Sequence, residues 1–200
     1  MLEIINYDGL KPLGKQKNKN KIILINTFRD IKSYLVSLKY RHDGEYDKIP
    51  NYLISKKGEI IRLLGDSGYS NFFDDKLLNY NSIVVAIENL GWLEKNQSTG
   101  LNINWIGDIY IGEPHYKKWR DYDFWDKYTE KQINSLASLC FEICDKMNID
   151  KKFIGHNTKA DINLKFNGIL SRSNIYKTYT DISPSFDIKL FEKILENVRK

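Results

Sequence analysis

Hydrophobic positions along this 200-residue chain fall into two rhythms: unbroken apolar runs of strand length, and apolar stripes at helical spacing. Ile22, Ile23, Leu24 and Ile25, bracketed by Lys21 and Asn26, form a run of the kind that builds a strand buried on both faces. Ile31, Tyr34, Leu35 and Leu38 then recur at helical spacing, with Thr27 or Asp30 able to cap that helix. Residues 41–48 are polar and read as a connection. Residues 51–55 and 59–64 flank Lys56, Lys57 and Gly58, where glycine supplies the positive φ of a tight turn, so the two runs predict a hairpin. A second apolar run, residues 82–88, predicts another buried strand that ends at the turn signal Asn89, Leu90, Gly91.

Between residues 92 and 128 the periodicity fades while aromatic residues accumulate, including all four tryptophans, Trp92, Trp105, Trp119 and Trp125. The segment reads as an aromatic-rich insertion. Its rings either cover a sheet edge as a satellite core or line a groove. Thr129 and Gln132 make a capping-box pattern ahead of Ile133, Leu136, Ala137, Cys140, Ile143, Cys144 and Met147, which predicts a long amphipathic helix. A last helix is expected to start between residues 183 and 187, with Pro184 suited to its first turn. It runs through Leu190, Phe191, Ile194, Leu195 and Val198. Strand, helix, hairpin, strand, helix, helix is the order of an α/β fold with a central mixed sheet flanked by helices, here in one domain over residues 1–200.

Composition narrows the function classes. No apolar run approaches the roughly 20 residues of a membrane-spanning helix. The start of the chain carries Glu3 and Asp8 and does not resemble a secretory signal, so the expectation is synthesis in the cytoplasm, with any export by lysis or by packaging in a particle. The net charge of +5 owes much to the lysine run in residues 15–21, which reads as a solvated loop because no nucleic-acid motif accompanies it. Cys140 and Cys144, one helical turn apart, have poor geometry for a disulfide and read as core cysteines.

Several patterns in order resemble the type-2 N-acetylmuramoyl-L-alanine amidases and peptidoglycan-recognition proteins. They are Asn26-Thr27 at the end of the first strand, the hairpin with Lys57-Gly58-Glu59, the strand ending in Glu88-Asn89, Tyr128 to Gln132 opening a long helix, Ile154-Gly155-His156-Asn157, and the run from Asp181 to Asp187. The resemblance implies an amidase-like fold, peptidoglycan or muropeptide as partner, and a zinc ion that activates water against the muramoyl-L-alanine amide. Such chemistry needs three protein ligands and one open position.

Against that pattern the first ligand, a histidine in the family, falls on Ile25 or Asn26, neither a credible zinc ligand. The second corresponds to His156 and the third to Asp181. The position two residues before the third ligand, often a catalytic lysine, is Tyr179, with Lys177 and Arg172 as other candidate cations for a developing oxyanion. The family's auxiliary tyrosine falls near Pro50, beside Tyr46 and Tyr52. His42 or His115 could complete a rewired site. Asn26, Thr27, Glu88, Trp92, Trp105 and Trp119 are the candidate binding residues. The leading expectation is therefore a catalytically degenerate domain that binds peptidoglycan without a cofactor, in a phage particle or cell-wall assembly. An active zinc amidase with a rearranged site is one alternative. A structural protein that reuses the fold to bind other virion or cell-wall proteins is another. No nucleic-acid partner is expected.

Overall fold

The structure, a computed structural model, describes residues 2–160 and 166–197. The first half of the chain contains β1 (Ile4–Asn6), β2 (Gly14–Lys15), β3 (Lys21–Asn26), α1 (Ile31–Tyr40), β4 (Tyr52–Ile54), β5 (Ile60–Arg62), β6 (Gly68–Tyr69), α2 (Lys76–Asn81) and β7 (Ser82–Ile87). The second half contains β8 (Trp92–Lys95), β9 (Asn102–Ile103), β10 (His115–Trp119), β11 (Tyr122–Trp125), α3 (Glu130–Met147), β12 (Gly168–Ser171), α4 (Arg172–Ile175) and α5 (Ile188–Asn197).

Six strands form the central mixed sheet in the order β1-β5-β4-β7-β3-β12. β3 lies between β7 and β12 and is parallel to both, β4 is parallel to β7, and β4 and β5 form the antiparallel hairpin. Period-two alternation in β3 explains the layers. Ile22 and Leu24 join the cluster built with Leu136, Cys140 and Ile143 of α3 and Phe191 of α5, while Ile23 and Ile25 join the cluster with Leu38 of α1 and Leu78 of α2. Both faces are covered, so the whole strand is apolar.

Local chemistry sets the element ends. Asp30, rather than Thr27, caps α1, its side chain accepting from Ser33 N–H. Thr129 and Gln132 complete the capping box on α3. Gly58 turns the hairpin at φ +84, and a Cβ there would stand 2.9 Å from the Lys131 carbonyl of α3. Cys140 and Cys144 are free and buried. Pro184 lies in a turn before α5, which begins only at Ile188, and Val198 falls outside the described residues.

Two expectations need correction. The 92–128 segment is ordered into a four-stranded antiparallel sheet, β10-β11-β8-β9, with Trp125 wholly buried. Strands of two to five residues with a register shift between Tyr116 and Trp119 are too short and irregular to carry a readable period.

The lysine run is not all solvated. Lys19 and Lys21 are buried, the Lys19 ammonium donating to the Gly68 carbonyl. Burial lowers the Lys19 pKa to about 8 against the pull of Asp66. Its folded value therefore lies below the unfolded one, near 10.4. Across that window the unfolded chain holds a proton that the native chain has lost, so this group makes stability rise with pH. Between pH 7 and 9 the expected gain is about 1 kcal/mol, absent in Lys19→Met. Urea unfolding of both proteins at the two pH values checks this, and parallel behaviour would show that Lys19 stays charged.

Candidate functional site

β3, β4, β7 and β12 run parallel, so their carboxyl ends, at Asn26, Ile54, Ile87 and Ser171, share one edge of the sheet. In open sheets of this type ligands bind outside that edge. Asp181 lies there, fully buried. One carboxylate oxygen accepts from the Asn26 backbone N–H at 2.7 Å, and the other from Arg172 Nε at 2.6 Å. Strand register explains the second contact: Ser171 of β12 stands opposite Leu24, so Arg172 leaves the sheet beside the end of β3. The Arg172 guanidinium also packs 3.9 Å from the Tyr179 ring centroid. Burial works against its charge, but the Asp181 carboxylate outweighs burial and raises its pKa.

A second bond network ties this edge to α3. Tyr128 O–H donates to Asn26 Oδ1 at 2.6 Å, and its oxygen accepts from Ser183 N–H at 3.3 Å. Burial raises the Tyr128 pKa well above the ordinary value, keeping the hydroxyl a neutral donor. Asn26 Nδ2 is sealed without a partner. In the sequence Tyr128 belongs to the helix-opening run, and its bond to Asn26 at the sheet edge comes from the tertiary structure.

Glu88 is a fastener. Its two carboxylate oxygens accept from Ile31 N–H at 3.0 Å and Lys56 N–H at 2.6 Å, and its carbonyl accepts from Gln132 Nε2. Thr27 stays local, its hydroxyl donating to the Arg29 carbonyl and accepting from Asn89 N–H. Lys56 pairs at 2.8 Å with Asp126, which also accepts from the Tyr110 hydroxyl. Burial and the Asp126 charge push the Tyr110 pKa up to about 12. Arg29, Glu88, Tyr110, Asp126 and Lys127 line a cavity of about 520 Å³.

The remaining candidates scatter. His156 is not bonded to Asp181. Its chain lies one strand position beyond β12, where Phe153 bridges Ile169, and its ring packs on Trp119 at 4.5 Å. Burial lowers its pKa, helped by Lys117 and Arg120, and a hydrogen bond that the imidazole donates to the Ile182 carbonyl opposes the shift. His115 opens β10 in the small sheet, and burial lowers its pKa too. His42 and Tyr46 line a cavity with Arg172 and Tyr179, whereas Tyr52 is buried in β4 with its hydroxyl on Asp66. Lys177 faces a different cavity, with Arg120 and Asn157. Trp92 stacks on Tyr122 at 4.4 Å. Trp119 packs against Trp125, while Trp105 is exposed, donating to the Phe28 carbonyl under Arg29. Among the described residues no three His, Cys, Asp or Glu side chains come together where they could hold a metal ion.

Residues 17–166 match the N-acetylmuramoyl-L-alanine amidase family Amidase_2. The chain belongs to this amidase family. No curated protein sequence matches it. Solved amidase structures share its fold at low identity. The amidase LysC from Clostridium intestinale URNW superposes with a TM-score of 0.55 at 12% identity, over 98% of this chain and 99% of that one. AmpDh3 from Pseudomonas aeruginosa gives 0.56 at 16%, over 97% and 66%. AmiD from E. coli, in complex with anhydro-N-acetylmuramic acid-L-Ala-D-gamma-Glu-L-Lys, gives 0.54 at 15%, over 91% and 59%. Among the described residues no helix of this amidase-family chain is long and apolar enough to cross a membrane.

Proposed function

We propose that this chain is an amidase-family domain that recognises peptidoglycan without cleaving it, in a phage particle or a cell-wall-associated assembly. One observation carries the reading: both oxygens of Asp181, the third-ligand position, are held by the protein's own Arg172 and by Asn26 N–H. The zinc ion implied by the resemblance does not fit this donor set. Asn26, at the first-ligand place, has its only side-chain oxygen occupied by Tyr128, and a guanidinium beside the carboxylate repels a second cation.

Recognition needs no metal. The cavity of about 520 Å³ at the carboxyl edge offers charged and aromatic groups, with Trp105 near it through its contacts to Phe28 and Arg29. The muropeptide bound in the AmiD structure supports peptidoglycan as the ligand class. The test is sedimentation with purified cell walls alongside an assay for amide cleavage with added zinc. The wild type is expected to sediment, to release no peptide, and to lose binding about tenfold in Trp105→Ala, a contact worth about 1.4 kcal/mol. Zinc-dependent peptide release would overturn the reading.

A second reading is favoured by one surface. Leu101, Trp105, Ile106, Ile109 and Ile111 are all exposed, Ile111 at 93%, as in a protein that docks on another protein. Failure to sediment, together with concentration-dependent self-association or co-assembly, would decide for that structural role.

A further inference from the structure

The cavity that holds Arg172 is larger than the one beside Glu88, about 650 Å³, and its chemistry differs. Its cationic lining is Arg41, Lys48 and Arg172, with His42 alongside. Asp74 is the opposing carboxylate, 3.9 Å from Lys48 and fully exposed, a pairing that solvent screens. Phe72, Phe73, Tyr46, Tyr176 and Tyr179 supply aromatic walls.

Arg172 is the fixed element. Nε is committed to Asp181 and one face of the guanidinium to the Tyr179 ring. Its two terminal nitrogens make no hydrogen bond among the described residues. Nor are they among the sealed, unpartnered polar atoms, so they open onto solvent. A guanidinium anchored through Nε presents its terminal pair as a planar two-donor fork, the geometry that matches a carboxylate or a phosphoryl group. Because the side chain is already held on an edge and a face, little of its conformational entropy remains to be lost on binding.

We propose that this cavity is a receptor for a two-oxygen anion on a small aromatic or apolar body, with Arg172 as the recognition group and Arg41 and Lys48 as the surrounding positive field. The site uses the cation that neutralises Asp181 to bind an anion, in place of catalysis. It stands whether or not the chain binds cell walls, since its ligand is defined by the fork and the rings alone.

Calorimetric titration of the full chain with N-acetyl-L-tyrosine, N-acetyl-L-tyrosine amide and phenyl phosphate tests this. The expected result is binding of at least one anion, with the amide at least tenfold weaker than the acid if the carboxylate is the source. Phenyl phosphate binding without the acid would support the same site with a phosphoryl source. Arg41→Gln/Lys48→Gln, both exposed positions, should weaken the anion several-fold and flatten its salt dependence. Arg172→Lys, which keeps a charge beside Asp181, should weaken it about tenfold while circular dichroism stays unchanged. Equal binding of acid and amide, binding of neither anion, or unaltered affinity in both variants would overturn the proposal.

Discussion

Arg172→Leu melts roughly 6–20 °C below the wild type, the consequence of losing about 3–5 kcal/mol in a chain of this size. The Asp181 carboxylate is wholly buried and the Arg172 side chain is 14% exposed, so the pair is held largely out of water. Leucine leaves a buried carboxylate whose remaining bond is the Asn26 N–H. Arg172→Leu/Asp181→Leu should recover most of the loss, leaving the cost of one orphaned Asn26 N–H, about 1–3 kcal/mol. Scanning calorimetry of both variants beside the wild type measures this. A single-variant deficit below 2 °C would mean that the pair contributes nothing.

Asn26→His/Arg172→His is expected to acquire zinc at Asp181. Both positions flank Asp181, one through its backbone bond at 2.7 Å and the other through its side chain at 2.6 Å. Two imidazoles and a carboxylate make a three-ligand set with one place open, the requirement of a zinc hydrolase site. The larger side chain beside Tyr128 costs about 1–3 kcal/mol of overpacking. A micromolar zinc site, worth about 8 kcal/mol of binding, exceeds that. At a zinc concentration 100 times its dissociation constant the variant gains about 2.7 kcal/mol of stability, visible as a rise in melting temperature. Elemental analysis after desalting should find one zinc per chain, lost when Asp181→Ala is added. A folded variant that takes up no zinc would show that side chains at these three positions do not converge on a metal ion.

Much of the architecture is legible from pattern. The apolar runs at residues 22–25 and 82–88 become β3 and β7 because a strand covered on both faces must be apolar throughout. Thr129 and Gln132 announce α3 because a capping box is a local device whose bonds lie within four residues. Asp181 also stood out, but through its place in the family's pattern.

What the pattern missed is what depends on distant neighbours. β12 has four residues and is a strand because β3 offers it an open edge, and that pairing brings Arg172 to Asp181 nine residues away in sequence. A readable signal existed in Ile169-Leu170 followed by Arg172, but a two-residue apolar run has no period of its own. By its pattern Glu88 is a candidate binding residue, and only the meeting of α1, the hairpin and α3 shows it fastening the Ile31 and Lys56 N–H groups and the Gln132 side chain. Lys19 looked solvated because a lysine run ordinarily is, and its burial follows from the pairing of β2 with β6.

Periodicity, capping and turn chemistry are short-range, so residue order alone decides which segments are helix or strand and that they form a mixed α/β sheet. Which charges become partners at the end of that sheet is long-range. The Asn26 to Asp181 bond spans 155 residues, and no local rule reaches that far. Only the tertiary structure places the Arg172 guanidinium against Asp181, because strand register, not sequence proximity, delivers it there.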